Sequence, residues 1–132
     1  MKASPYRVGI DIIEVHAIQN SIQRFGERFL NRVYTQEEQA YCLGLTSTEA
    51  TMRSLAARFA AKEATVKVLR PHDTPFDWRS IEIRRSPQGW CDIVLYEPVS
   101  TLAQDRGITA LSLSMSHENE FATAVVIADI DI

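Results

Sequence analysis

Apolar and other side chains alternate near the start of the chain, which predicts a β-strand over residues 6–13 with Asp11 near its end. The two faces of this strand carry Tyr6, Val8, Ile10 and Ile12 on one side and Arg7, Gly9 and Asp11 on the other. The apolar spacing then changes to three or four residues from about Val15 to Leu30. That spacing predicts an amphipathic helix, whose polar side carries Arg24 and Arg28.

Two further helices are predicted in the middle of the chain, a short one and a long one. Thr35 and Glu38 form the capping-box pattern T-Q-E-E, which predicts the start of the short helix. An alanine-rich stretch without Gly or Pro predicts the long helix from about Thr48 to Leu69. The segment 70–75 ends it, because a residue that precedes a proline is disfavoured in a helix.

The last third of the chain consists mainly of predicted strands. These elements are strands at 80–85 and 91–96, a short helix between Pro98 and Gly107, and a hairpin of strands at 110–117 and 121–128. We therefore predict a single domain over residues 1–132. Its class is α+β, with a mostly antiparallel sheet packed against one long and several shorter helices.

Composition narrows the class of protein without identifying it. The 132 residues are 45% hydrophobic and 23% charged, as in an ordinary globular domain. The net charge of −3 argues against a nucleic-acid-binding protein, since such domains usually carry a net basic surface. The chain has neither the apolar core of a signal peptide nor a stretch long enough to span a membrane. We expect a cytoplasmic protein in which Cys42 and Cys91 are reduced thiols.

The long helix places a carboxylate among apolar side chains. At about 100° per residue, Glu63 falls in the middle of an apolar stripe, and Lys67 lies one turn further on. The stripe consists of Met52, Leu55, Ala56, Phe59, Ala60 and Val66. An ion pair between Glu63 and Lys67 would contribute about 0.2–0.5 kcal/mol on an exposed helix. Because buried carboxylates also bind metal ions and cluster at functional sites, the residues alone leave both interpretations open.

Three further features have a structural and a functional interpretation. Asp11 shares a strand face with Gly9, whose missing side chain allows a ligand to approach, but an aspartate here can also cap the following helix. A lone histidine such as His117, at the end of a strand, is usually a packed core or edge residue. Arg58 and Lys62 lie four residues apart, which favours a solvated flank of the long helix over a phosphate-binding pair.

The common phosphate-binding and metal-binding motifs do not occur in the sequence. A protein of this sequence that handles phosphate would therefore need a metal ion held by carboxylates, together with scattered Lys and Arg. Mg²⁺ suits that arrangement, because it takes one or two protein carboxylates and completes its octahedron with waters and substrate phosphate oxygens.

Three sequence blocks occur in order: G-I-D-I-I-E at 9–14, R-F-A-A-K-E-A at 58–64 and S-M-S-H-E at 114–118. They resemble the blocks of the holo-acyl-carrier-protein synthases, the small 4′-phosphopantetheinyl transferases. Residues 24–38 and 78–83 are also similar to that family, so the resemblance covers nearly the whole chain. It implies the 4′-phosphopantetheinyl transferase fold.

The resemblance implies that the phosphopantetheine arm of coenzyme A is transferred to a serine of an apo acyl carrier protein, releasing adenosine 3′,5′-bisphosphate. It implies that Asp11 and Glu63 are Mg²⁺ ligands, and that Glu63, directly or through a bound water, deprotonates the serine. Lys67 would neutralise phosphate oxygens as a third catalytic residue. Arg58, Lys67 and His117 would bind the coenzyme.

The resemblance also implies an oligomer and an acidic partner. Members of the family are usually homotrimers with coenzyme sites between subunits, so His117 would serve the Asp11 and Glu63 of a neighbouring copy. Carrier proteins are acidic, which makes Arg24 and Arg28 candidates for docking. An ordinary solvated helix face is the alternative for these two arginines.

The chain departs from the family at three places. Relatives commonly carry an arginine where Ala17 stands, and they follow the long helix with a glycine-containing loop, whereas residues 70–75 contain no glycine. Relatives also often have a proline shortly after the hairpin glycine, where Trp90 and Cys91 follow Gly89. These departures suggest a divergent member of the family that serves a specialised carrier protein. The sequence does not identify whether that carrier belongs to fatty-acid, polyketide or another biosynthesis. The alternative is a catalytically silent module that binds coenzyme A or a carrier protein. The retained acidic residues and Lys67 argue against that alternative.

Overall fold

In the computed structural model, which describes residues 1–131, five α-helices and five strands follow one another along the chain. The strands are β1 (Tyr6–Glu14), β2 (Ile81–Arg85), β3 (Cys91–Leu95), β4 (Ile108–His117) and β5 (Phe121–Ile130). The helices are α1 (Val15–Phe25), α2 (Glu27–Val33), α3 (Gln36–Leu43), α4 (Thr48–Leu69) and α5 (Val99–Asp105), with a 3₁₀ turn at Trp78–Ser80. The predicted α+β class and the long helix are confirmed.

The strands form two antiparallel sheets, one in the order β1-β5-β4 and one of β2 and β3. In the larger sheet Asp11 on β1 lies opposite Ala124 on β5, which in turn lies opposite Met115 on β4. Helix α4 packs across one face of this sheet and also contacts β2. Small and apolar side chains from α4 and β5 fill the space between them, including Ala60, Ala61, Ala64, Val68, Ala124, Val126 and Ala128.

The contact between β1 and α4 depends on Gly9. A Cβ atom at this position would lie 2.2 Å from the carbonyl oxygen of Ala64 and 3.1 Å from the Cβ of Lys67. Since real Cβ atoms do not approach a backbone oxygen so closely, only glycine fits here without displacing the helix. The side chain of Asp11, two residues further along the same strand face, is thereby held beside α4.

The prediction of one helix from Val15 to Leu30 is wrong, because the chain turns at Gly26. This residue has φ 58° and ψ −134°, and it separates α1 from α2. Its positive φ favours glycine, which has no Cβ to clash with the neighbouring carbonyl. The apolar spacing continues on both sides of the turn, so the sequence pattern does not reveal it.

The prediction of a solvated flank at Arg58 and Lys62 is also wrong. Their exposed fractions are 4% and 0%, because α3 and β2 cover this side of α4. Lys62 Nζ lies 2.9 Å from Glu38 Oε1, in an ion pair with no solvent-exposed side-chain surface. It also donates hydrogen bonds to the carbonyl oxygens of Trp78 and Ile81.

One face of the three-stranded sheet is apolar and open. On β1 the side chains that point away from α4 are between 57% and 66% exposed, namely Tyr6, Val8, Ile10 and Ile12. Ile127, opposite Val8 on β5, is 40% exposed. We call this surface the open sheet face; contiguous apolar surfaces of this kind commonly mark sites of association. No helix within residues 1–131 combines the length and the apolar character needed to cross a membrane.

Candidate functional site

Asp11 and Lys67 meet where β1 lies against the last turns of α4. Lys67 Nζ donates a hydrogen bond to the carbonyl oxygen of Ile10 at 2.6 Å and lies 3.4 Å from Asp11 Oδ1. The side chains of Lys67 and Asp11 are 52% and 20% exposed, so the pair is accessible to a ligand from solvent.

Glu63 is the third charged side chain at this place, one helical turn before Lys67. Burial raises the pKa of Glu63, the negative charge of Asp11 raises it further, and the positive charge of Lys67 lowers it. Among the described residues, Lys67 forms its ion pair with Asp11 and not with Glu63. The interpretation of Glu63 and Lys67 as a helical ion pair is therefore wrong. The structure does bring Asp11, Glu63 and Lys67 to one place.

The oxygen donors of this cluster suit a small divalent cation. Asp11 and Glu63 repel each other, and a cation bound by both would relieve that repulsion. Within residues 1–131 no cluster of three or more His, Cys, Asp or Glu side chains could enclose a metal ion. Two carboxylates, with the remaining positions left for water and phosphate oxygens, are the ligand set that Mg²⁺ accepts. The residues present therefore fit Mg²⁺.

Arg58, predicted to bind the coenzyme, lies elsewhere on α4. Five residues separate it from Glu63, which turns its side chain about 140° around the helix. Its guanidinium group lies 4.7 Å from the centre of the Tyr41 ring, and Nη1 donates to Ser54 Oγ at 2.6 Å. Nε is buried and has no hydrogen-bond partner among the described residues. Arg58 lines a cavity of about 120 Å³ whose wall also includes Arg85.

His117 does not join the cluster within one copy of the chain. It lies at the end of β4, across β5 from β1, and pairs with Ala122, which pairs with Ile13. Two strand spacings, about 9.6 Å, therefore separate His117 from the backbone of β1. The side chain is exposed on this edge strand, so His117 is an edge residue and not a packed core residue.

A basic and aromatic groove lies along α1 and α2, at the position of the two arginines that the sequence singled out. The Arg24 guanidinium lies 5.3 Å from the centre of the Phe25 ring. A cavity of about 230 Å³ is lined by Phe25, Arg28, Phe29 and Arg32. Sequence analysis did not single out Arg32, although its spacing of four residues from Arg28 places both on one side of α2.

The comparisons with known proteins all point to one enzyme family. A family model described as the 4′-phosphopantetheinyl transferase superfamily matches residues 7–126. A holo-[acyl-carrier-protein] synthase of Halothermothrix orenii is 39% identical over 122 residues, covering 92% of this chain and 95% of that relative. One from Chlamydia trachomatis is 42% identical over 128 residues, covering 94% and 99%. The crystal structure of Helicobacter pylori holo-[acyl-carrier-protein] synthase in complex with coenzyme A matches with a TM-score of 0.78 and 31% identity, covering 92% of this chain and 99% of that one.

Proposed function

The chain belongs to the holo-[acyl-carrier-protein] synthases of the 4′-phosphopantetheinyl transferase superfamily, and we propose that it uses Mg²⁺ to transfer the 4′-phosphopantetheine arm of coenzyme A to a serine of an apo acyl carrier protein. The product is a holo carrier protein, and adenosine 3′,5′-bisphosphate leaves. A single domain over residues 1–132 carries this activity.

The observation that carries the proposal is the meeting of two carboxylates beside a lysine, where β1 lies against α4. Asp11 and Glu63 would hold Mg²⁺, which supplies positive charge against the pyrophosphate of the coenzyme. Lys67, already 3.4 Å from Asp11, neutralises phosphate oxygens as a point charge. Burying the Glu63 carboxylate in the helix without an ion-pair partner costs free energy, and binding a cation offsets that cost.

Glu63 is the base of the proposed reaction. The carrier serine gives its hydroxyl proton to Glu63 while its oxygen forms a bond to the β-phosphorus of the coenzyme. The bond between that phosphorus and the bridging oxygen breaks, and the electron pair leaves with adenosine 3′,5′-bisphosphate. In the metal-free chain, burial and the negative charge of Asp11 raise the pKa of Glu63, and a bound Mg²⁺ would lower that pKa again. Glu63 therefore acts as base through its position, directly or through a bound water.

We propose that the chain forms a homotrimer through the open sheet face. This face is apolar and exposed in the isolated chain, which supports its burial between copies. The site of one copy would then receive the nucleotide-binding side chain His117 from a neighbour. The separation of His117 from the Asp11 cluster within one copy supports this division of the site.

The groove of α1 and α2 is the proposed dock for the carrier protein. Arg24, Arg28 and Arg32 give it positive charge, and Phe25 and Phe29 give it an apolar floor. An acidic carrier is attracted to such a surface, although the whole chain has a net charge of −3, because local charges steer encounter.

The test is the mass of a carrier protein after incubation with the purified chain, coenzyme A and Mg²⁺. We expect each apo carrier molecule to gain one phosphopantetheine arm, and chelation of the metal to prevent the gain. Glu63→Gln should slow transfer by about 10²–10⁴-fold, as loss of a general base does. Glu49→Gln, an exposed substitution in the first turn of the same helix, is the matched control and should transfer normally.

Two results would contradict the proposal. Transfer that persists in Glu63→Gln, or in the presence of a chelator, would remove the metal and the base from the reaction. Binding of coenzyme A without transfer to any member of a panel of carriers would identify a silent binding module instead.

A further inference from the structure

The amino group of Lys62 joins three other segments of the chain to α4. Its Nζ atom lies 2.9 Å from Glu38 Oε1, on α3. It donates one hydrogen bond to the carbonyl oxygen of Trp78, at 3.1 Å, and another to the carbonyl oxygen of Ile81. It also lies 5.9 Å from the centre of the Tyr34 ring, between α2 and α3. We call these five residues the Lys62 hub.

Stability alone does not explain a charged hub at this place. The side chains of Lys62 and Glu38 have no solvent-exposed surface. Moving two charges from water into the protein costs free energy, and well-packed apolar side chains of similar volume often replace a buried ion pair without loss of stability. An apolar side chain, however, cannot bind the carbonyl oxygens of another segment. A fully paired buried polar network therefore holds its segments in one defined arrangement.

The Lys62 hub connects α4 to the groove of α1 and α2. Tyr34 directly follows α2, and its ring meets that of Phe29, which lines the groove, edge to face with 6.1 Å between the ring centres. The Tyr34 hydroxyl donates a hydrogen bond to the carbonyl oxygen of Leu55, on α4, at 2.8 Å. Arg32, which also lines the groove, shares a second cavity with Trp78. The α2 wall of the groove is therefore connected to α4 through the hub.

The Lys62 hub also lies next to the proposed base. Glu63 follows Lys62 in the sequence, with its side chain turned about 100° around the helix. Trp78, whose carbonyl oxygen accepts from Lys62, stacks its ring on that of Phe59 with 5.8 Å between the centres. Phe59 lies four residues before Glu63, so the two side chains are neighbours on the helix surface. The hub thus holds the aromatic pair that borders Glu63.

The meeting of the two carboxylates does not depend on the Lys62 hub. Asp11 lies beside Glu63 because β1 packs closely against α4 at Gly9. That contact is made by Gly9, Ala64 and Lys67, none of which belongs to the hub. Loss of the hub should therefore displace the groove relative to Glu63 and leave Asp11 and Glu63 together.

We propose that Lys62 is a positioning residue, which holds the groove of α1 and α2 at a fixed distance from Glu63 so that the serine of a docked carrier protein meets the base. The inference rests on the proposed function, which supplies the carrier and its serine. A displacement of about 1 Å between reacting groups can slow a reaction about 100-fold. Without the hub, carrier and coenzyme still bind, but the serine and Glu63 are no longer aligned.

The test uses the double variant Glu38→Gln/Lys62→Met, which removes the hub without leaving a buried unpaired charge. We expect kcat to fall about 10–100-fold, whereas the KM for each substrate and the affinity for Mn²⁺ stay within about twofold of wild type. Leu102→Ala, which leaves a cavity in the core beside α5, is the control for lost stability and should keep the wild-type kcat. Urea unfolding shows that each variant is folded under the assay conditions.

A second variant tests the same connection with a smaller change. Tyr34→Phe removes only the hydroxyl group that binds the carbonyl oxygen of Leu55. Its kcat should fall in the same direction by a smaller factor, with Mn²⁺ affinity retained. If the double variant does not fold, a wild-type kcat in Tyr34→Phe overturns the inference.

Amide hydrogen exchange tests the Lys62 hub without any transfer reaction. In the double variant, amides of residues 28–34 and 78–81 should exchange at least about tenfold faster relative to those of residues 9–12 on β1. Unchanged relative exchange would overturn the inference even if the chain transfers phosphopantetheine. A wild-type kcat in the double variant would also overturn it. So would a parallel loss of Mn²⁺ affinity, or an equal fall of kcat in Leu102→Ala, because either would show a general effect on the fold. If the wild type modifies no carrier, the proposed function fails, and the exchange of residues 28–34 still tests the hub.

Discussion

The buried ion pair of Lys62 and Glu38 gives the sharpest prediction about stability. Lys62 Nζ has four oxygen and aromatic neighbours: Glu38 Oε1, the carbonyl oxygens of Trp78 and Ile81, and the Tyr34 ring at 5.9 Å. Lys62→Met keeps the unbranched shape of the side chain up to Cε but removes the amino group, with its charge and its hydrogen bonds. The carboxylate of Glu38 is then left buried without its counter-charge.

The expected cost of Lys62→Met is about 3–5 kcal/mol, the usual result of removing one partner from a buried pair. That is a large share of the roughly 5–15 kcal/mol that stabilises a typical domain. The other oxygen of that carboxylate, Glu38 Oε2, accepts a hydrogen bond from Ile83 N at 2.9 Å, so the carboxylate cannot turn toward solvent without breaking a further contact. Glu38→Gln combined with Lys62→Met should recover at least about 1 kcal/mol, since a neutral amide is less costly to bury.

The pH dependence of this effect has a defined sign. Burial lowers the pKa of Lys62 below 10.5, while Glu38 partly restores it. The folded state therefore disfavours the protonated amino group of Lys62, and the resulting loss of stability is fully present at pH values below the folded pKa. As the pH rises from the folded pKa through 10.5, the penalty is lost, and the wild-type chain should gain stability relative to Lys62→Met.

Urea unfolding followed by tryptophan fluorescence measures these differences, because Trp78 packs against Phe59 and accepts a hydrogen bond from Lys62. All variants are compared at one protein concentration, since assembly would make stability concentration-dependent. Lys67→Met, which removes an exposed pair on the same helix, is the control and should cost less than about 1 kcal/mol. The reasoning is refuted if Lys62→Met costs no more than Lys67→Met. It is also refuted if the double variant Glu38→Gln/Lys62→Met is no more stable than Lys62→Met.

Three other predictions concern the site and its surroundings. Gly9→Ala should cost at least about 1–3 kcal/mol in urea unfolding, because its Cβ would overlap the carbonyl oxygen of Ala64; an unchanged midpoint would contradict that packing. Ile10→Asp on the open sheet face should give the mass of a single chain in sedimentation, whereas an unchanged mass of three chains would place the interface elsewhere. In metal-free protein, Asp11→Asn should lower the pKa of Glu63 while burial still keeps it raised. A carboxyl group whose pKa is raised in the folded state makes the free energy of unfolding fall as the pH rises through that pKa, and Asp11→Asn should make this fall smaller. An NMR titration of Glu63 that is unchanged from wild type would show that the two groups do not interact.

Much of the fold follows from local sequence patterns. The long helix has the predicted bounds, because its lack of Gly and Pro and the prolines after it act within a few residues. The capping box of Thr35 and Glu38 forms as predicted, with both reciprocal hydrogen bonds present. The four strands predicted in the last third of the chain also form, each with bounds that differ by at most two residues. These features depend on neighbours in the chain, which a sequence displays directly.

The features that the sequence did not predict depend on distant segments. The burial of Lys62 requires Glu38, from a different helix, and the carbonyl oxygen of Ile81 beyond the next loop. Alternation along β1 separates its two faces, but the closer packing of the Gly9 face against α4 decides that Val8 and Ile10 point to solvent. The candidate site likewise combines features that the sequence displays with features that depend on distant segments. Its carboxylates stand out in the sequence, whereas the ion pair of Lys67 with Asp11 requires the folded arrangement.

The central claim is that Asp11 and Glu63 together hold one divalent cation, and Mn²⁺ binding tests it most directly. Electron paramagnetic resonance measures free Mn²⁺ during titration of the protein in the presence of coenzyme A, with coenzyme A alone as the reference. We predict one tightly bound ion per chain in the wild type. That binding should be strongly weakened in both Asp11→Asn and Glu63→Gln and retained in Glu49→Gln. Wild-type affinity in either of the first two variants would contradict the claim.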